Sequence, residues 1–191
     1  MAGDEFGSVI GFRTKTYRGT TAAGVTASLT RPSDTTTYAA GDVISAVTSN
    51  DHFTFGAASN DGSKRTGRSS PGTLTINAAR LWSSANQSSL YLAAEIWLFV
   101  TDIAKVADNS AFAPTDAEML TCIGIIDFPA ASWRAGIATA GADGNAVCDI
   151  RNIDLPLGCQ PGRIYGQLVA RNAYVPVSGE IFVVDLITTL D

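Results

Sequence analysis

The 191-residue chain has one histidine, three lysines and four glutamates. A single histidine leaves little room for the acid–base and metal chemistry that leans on imidazole. Lys and Glu clothe exposed helix faces. Their scarcity, beside 20 threonines and 16 serines, argues against a helical bundle and for an all-β chain. Charged residues are only 16%, but hydrophobic residues are 46%, too many for a disordered chain. Long apolar runs are missing: Ile96–Val100 is far too short to span a bilayer. Met1 leads into Ala-Gly-Asp-Glu without the basic and apolar stretches of a signal peptide. The net charge of −5 disfavours sequence-independent nucleic-acid binding. The three cysteines, Cys122, Cys148 and Cys159, are odd in number and lack metal-ligand spacing. Reduced thiols are expected, with a Cys148–Cys159 bridge left open.

No phosphate-binding GxxxxGK[ST], no HExxH, no GxSxG and no GxGxxG occurs. The expectation is therefore no enzyme, no cofactor and no metal. His52, between Asp51 and Phe53, has no sequence-specific nucleophile to activate and reads as a half-exposed strand residue. Glu95 and Asp127 fall in apolar strand patterns and are the best pair of carboxylates for glycosidase chemistry. A carboxylate there needs a cation, and a structural ion pair with Arg80 or Arg171 is the preferred reading. Asp143, Asn145 and Asp149 lack the spacing of a calcium loop.

A period of two dominates from Val25 onward, which reads as a β domain over residues 25–191 preceded by an arm over 1–24. Val25, Ala27 and Leu29 form one face of a strand closed by Pro32. Strands are expected at Thr37–Val47, with a bend at Ala40-Gly41-Asp42, and at His52–Phe55. Thr73–Trp82 should turn Leu74, Ile76 and Ala78 to one side. The strongest pattern is Leu90–Thr101: Leu92, Ala94, Ile96, Leu98 and Val100 face the core, and Tyr91, Glu95, Trp97 and Phe99 lie opposite on a strand covered on both sides. Thr115 and Glu118 have capping-box spacing and predict one short helix at 116–120. Cys122–Phe128, Ala146–Leu155, Arg163–Tyr174 and Glu180–Leu190 complete the strands, while Ala130–Asn145 reads as a loop. The sum is about nine strands in an antiparallel β-sandwich. A jelly roll is favoured, although strand count leaves an immunoglobulin-like winding open.

Two segments concentrate basic and aromatic residues. The arm carries Phe6, Phe12, Arg13, Lys15, Tyr17 and Arg18, and the loop at 57–72 carries Lys64, Arg65 and Arg68. Both read either as solvated segments or as contacts with an acidic partner surface.

Six stretches carry a resemblance. In order they are Tyr38-Ala39-Ala40-Gly41-Asp42-Val43, Ala79-Arg80-Leu81-Trp82, Ile96-Trp97-Leu98-Phe99-Val100, the run Ala107 to Pro114, Gly124-Ile125-Ile126-Asp127-Phe128-Pro129 and Ile164-Tyr165-Gly166-Gln167-Leu168-Val169. Their order and spacing resemble small virion structural proteins of tailed bacteriophages, over roughly residues 36–187. The resemblance implies a non-enzymatic capsid decoration or cement protein on the outer capsid surface, present in the host cytoplasm during assembly. Its implied partners are the major capsid protein and further copies of itself as a dimer or trimer, with no nucleic acid and no membrane. A carbohydrate-binding sandwich of a phage head fibre or tail is the alternative, with Trp82, Trp97 and Trp133 as its aromatic cue.

Overall fold

The computed structural model describes residues 26–48, 50–56, 73–85, 91–135, 146–159 and 163–190. Among them the chain forms ten strands, one short α-helix and a 3-10 turn. They are β1 (Thr26–Thr30), β2 (Val43–Ile44), β3 (Phe53–Gly56), β4 (Thr73–Ser83), β5 (Ala94–Phe99), α1 (Asp116–Met119), β6 (Cys122–Phe128), the 3-10 turn Ala130–Ser132, β7 (Trp133–Ala135), β8 (Ala146–Cys159), β9 (Arg163–Ala170) and β10 (Ile181–Leu190).

The strands make two five-stranded antiparallel sheets. One has the order β1-β10-β4-β8-β7, and the other β2-β9-β5-β6 with β3 also paired to β9. The all-β sandwich expected from composition is therefore the fold. Its winding favours one of the two topologies left open. The first strand pairs with the last, β2 and β3 with the last but one, β4 with β8, and β5 with β6. This is a long antiparallel hairpin rolled up on itself, the connectivity of a jelly roll.

Alternation sets what each strand buries. Ala27 and Leu29 of β1 and Phe182, Val184 and Leu186 of β10 point into the core, where they meet Phe53, Phe55, Ile96, Leu98 and Phe128 of the opposite sheet. Phe53 and Phe55 lie on one face, their rings stacked with centroids 6.1 Å apart. Burying each such side chain contributes about 1.5–3 kcal/mol.

Register shifts interrupt simple alternation. In β4, Ile76 opposes Thr188 and Ala78 opposes Ile187, so Asn77 is extra. The inward set continues as Ile76, Ala79 and Leu81, and Ala78 does not share a face with Ile76. On the other side of β4, Ala78 pairs with Arg151 and Ile76 with Leu155. The three residues between include Asn152 and Asp154 at positive φ, a conformation that Asn and Asp tolerate better than most residues. At the end of β5 the register shifts between Leu98 and Phe99. The extra residue is Ile123 on β6, since β5 keeps regular register with β9 through Phe99. Val100, past the end of β5, is exposed, the reverse of its parity expectation.

The segment from Asp102 to Thr121 lies over the outer face of the second sheet. Val43, Phe99, Ile103 and Val169 are buried there, apart from the main core. Phe112 meets Trp97 edge to face at 5.4 Å. Strand β5 is thus covered on both sides, as its two apolar parities imply. The capping box at α1 forms as expected: Glu118 N donates to Thr115 Oγ1 at 3.3 Å and Thr115 N to Glu118 Oε2 at 2.7 Å. Glu118 also accepts Ala104 N at 2.7 Å, which ties the two ends of the excursion together.

Other expectations need correction. The expected strand 37–47 is mostly irregular. Gly41 takes φ 99 in a turn, and only Val43–Ile44 is ladder, with an isolated bridge from Tyr38 to Tyr174. Strand β9 likewise stops at Ala170 rather than Tyr174. The expected loop from Ala130 begins with a 3-10 turn and edge strand β7, because Trp133 is pulled into the core at 4% exposure and donates from Nε1 to Leu92 O at 2.6 Å.

Candidate functional site

Three clusters of polar side chains stand out among the described residues. The first is a buried plug at one end of the sandwich. Arg31 follows β1 and precedes Pro32, and its side chain is wholly enclosed. It donates from Nε to the Tyr38 hydroxyl and from Nη2 to Asp108 Oδ2 at 3.1 Å, with Asp34 Oδ1 at 3.4 Å. Tyr38 donates in turn to Asp108 Oδ1 at 2.7 Å, and that oxygen also accepts Ser45 N at 2.9 Å. Tyr38 stacks on Tyr174, whose hydroxyl reaches both oxygens of the buried Glu180, at 2.8 and 2.9 Å. Ser83 Oγ also donates to Glu180. Burial holds the Glu180 carboxyl above the ordinary carboxylate range, against the bonds from Ser83, Tyr174 and Val177. It pushes both tyrosine hydroxyls upward as well. Every charge in the plug is bonded within it, so its chemistry is that of a lock on the loops.

Sequence reasoning missed Arg31 and Glu180. A lone Arg before a proline and a lone Glu after a turn carry no periodic signal. Two of the resembling stretches do converge here. Val43 N donates to Ser110 O at 2.8 Å, Phe112 N to Gly41 O at 2.9 Å, and Asp42 bridges Ala111. Ala170 N donates to Asp42 O at 2.8 Å, joining the end of β9 to the same cluster.

The second cluster holds the carboxylates expected to matter. Glu95 and Asp127 face each other in register on β5 and β6. Arg171 Nε binds Glu95 Oε1 at 2.7 Å, and Trp97 Nε1 donates to Oε2 at 3.1 Å, so both oxygens of Glu95 are engaged. The ion-pair reading stands for Arg171. Arg80 pairs instead with Asp149 at 2.6 Å across β4 and β8, which also takes Asp149 out of any calcium loop. Asp143 and Asn145 lie outside the described residues.

The third is an open-sided pocket of about 380 Å³ beside β1, β3 and β9. His52 precedes β3 and is buried, not half-exposed. Its Nε2 meets Asp102 Oδ1 at 3.1 Å, while the neighbouring Asp51 binds Lys105. These parallel pairs fasten the start of the excursion to the start of β3. Tyr165 packs edge to face on His52 at 5.7 Å. Burial keeps the imidazole below its ordinary pKa against the pull of Asp102 and Asp51, so it is neutral at pH 7.

Among the described residues no group of three or more His, Cys, Asp or Glu could hold a metal ion, and no helix is long and apolar enough to cross a membrane. Cys148 is a free, buried thiol, which closes the question of a bridge to Cys159. Of the tryptophans offered as a sugar-stacking cue, Trp133 is core and Trp97 is held between Glu95 and Phe112. The expected contact residues Phe6, Phe12, Arg13, Lys15, Tyr17, Arg18, Lys64, Arg65 and Arg68 lie outside the described residues. No protein-family model, no curated protein and no solved structure matches the chain.

Proposed function

We propose that the chain is a non-enzymatic virion structural protein of a tailed bacteriophage, a decoration or cement protein that bridges major capsid subunits on the outer capsid surface. The observation that carries this reading is the ordered set of six stretches resembling such proteins, three of which, around Tyr38–Val43, Ala107–Pro114 and Ile164–Val169, are joined or adjoined by one backbone hydrogen-bond network. A cement protein needs a body that keeps its shape and a rim that offers area to neighbours. The Arg31 plug ties the loops of one end to the body. Around that end Val47, Val175, Val177 and Ile181 are exposed apolar side chains; elsewhere Met119 of α1 and Leu120 just after it are exposed too, the latter 89%. A stable contact covers about 800 Å² per partner, and repetition over a shell multiplies modest contacts.

The test is occupancy of expanded capsids by the full chain and by a variant lacking residues 1–20. Saturable binding by the full chain and weaker binding by the variant support the reading. Absence of binding by the full chain overturns it, and equal occupancy removes the arm from the mechanism. Light scattering on the free protein tests the expected dimer or trimer.

A further inference from the structure

The pocket beside β1, β3 and β9 is not used by a cement role, and its chemistry selects a ligand class. We propose that it binds a neutral saccharide of one or two rings. Four formal charges line it: Asp51 and Asp102 against Lys105 and Arg163. They cancel, so neither an anion nor a cation has an electrostatic reason to enter.

What the pocket offers instead is donors beside acceptors. The contacts to Lys105 and His52 each use one carboxylate oxygen of Asp51 and Asp102, and a carboxylate can accept further bonds on its second oxygen. Arg163 makes no ion pair among the described residues and brings a fork of N–H donors. Ser28 and Thr54 add hydroxyls. A sugar hydroxyl both donates and accepts, so adjacent hydroxyls suit a lining in which carboxylate and cation alternate. Tyr165 gives the apolar surface that the C–H face of a pyranose covers. The ring is steadied by its edge contact with buried His52.

Preorganisation argues the same way. The contact of Asp102 with buried His52 pre-positions one acceptor before a ligand arrives, which lowers the ordering cost of weak polar recognition. The volume of about 380 Å³ lies at the small end of ligand pockets.

The inference does not depend on the virion reading, and the two fail separately: the capsid assay above contains no sugar. The experiment is amide NMR titration of the full isotope-labelled chain with glucose, galactose, mannose, N-acetylglucosamine and their β-linked disaccharides, with inorganic phosphate as the anion arm. The expected result is saturable shifts at Ser28, Thr54, Lys105 and Tyr165 with at least one sugar, at a millimolar dissociation constant. Arg163→Ala and Tyr165→Ala should each weaken that binding about tenfold, and Tyr165→Phe should retain most of it. The Arg163 variant alters an exposed side chain, so it keeps the test open if Tyr165→Ala fails to fold. No shifts with any sugar, shifts with phosphate alone, or sugar shifts away from this pocket would overturn the proposal.

Discussion

The Tyr38 hydroxyl donates to Asp108 Oδ1 at 2.7 Å across 70 residues of chain, and Arg31 takes the other oxygen of the same carboxylate. One aspartate thus joins the loop after β1 to the excursion after β5, with Arg31, Tyr38 and Ser45 buried against it.

Removing the cation should therefore be severe. Arg31→Met leaves Asp108 enclosed without its counter-charge, and such a loss typically costs about 3–5 kcal/mol. Urea unfolding of the variant should show that drop in midpoint with an unchanged slope. A loss under about 1 kcal/mol, the usual worth of a surface pair, would show that the plug is wetter than its geometry implies.

Glu180 gives a pH dependence with a definite sign. Its folded-state pKa is raised above the ordinary 4.5 by burial. The folded chain therefore holds this proton more tightly than the unfolded one. The contribution is fully present below about pH 4.5 and is lost as pH rises through the folded value. Glu180→Gln cannot titrate, so the stability of wild type relative to this variant should increase from pH 7 to pH 5. A relative stability that is flat or falls over that interval would remove the burial argument.

Two glycines separate rigid from yielding neighbours. A Cβ on Gly166 would lie 2.8 Å from Ile96 Cδ1 and 2.9 Å from Phe55 Cε2, both in the packed core. Gly166→Ala should cost about 1–3 kcal/mol through overpacking. A Cβ on Gly124 would meet only the side chain of half-buried Leu155, at 2.7 Å. Gly124→Ala should cost less, because that side chain has room to swing. Thermal unfolding of the two variants side by side checks the order.

Cys148 should be inert in the native protein. It is fully buried, and burial pushes its thiol up to about 11. The thiolate that reacts with alkylating reagents is scarce at neutral pH. Iodoacetamide followed by peptide mapping should leave Cys148 unmodified while half-buried Cys122 is labelled, and mild denaturant should expose both. Labelling of native Cys148 at the rate of Cys122 would contradict the packing.

Most of the body was legible in the sequence because its cause is local. Phe182, Val184 and Leu186 alternate and are buried, the capping box of Thr115 and Glu118 forms, and Pro129 ends β6 where a proline must. What escaped has non-local causes. The bulge at Asn77 is set by two neighbouring strands at once, and nothing in Thr73–Trp82 announces it. Trp133 looked like loop because the carbonyl of Leu92 that draws it inward lies 41 residues away. The pocket was invisible for the same reason: Asp51 and His52 are adjacent in sequence, but Asp102, Lys105, Arg163 and Tyr165 reach them only through the winding of the sheets.

That winding also governs when the molecule can form. Strand β1 rests against β10, with Thr26 opposite Asp185, so the earliest described strand has no ladder partner until the last described strand has been made. Closing this sheet therefore takes a long search along the chain, of the kind that makes such topologies slow to reach the native state. A nascent chain halted before Ile181 would expose both Ala27 and Leu29 and the open flank of β4, the surfaces on which neighbouring unfinished chains aggregate.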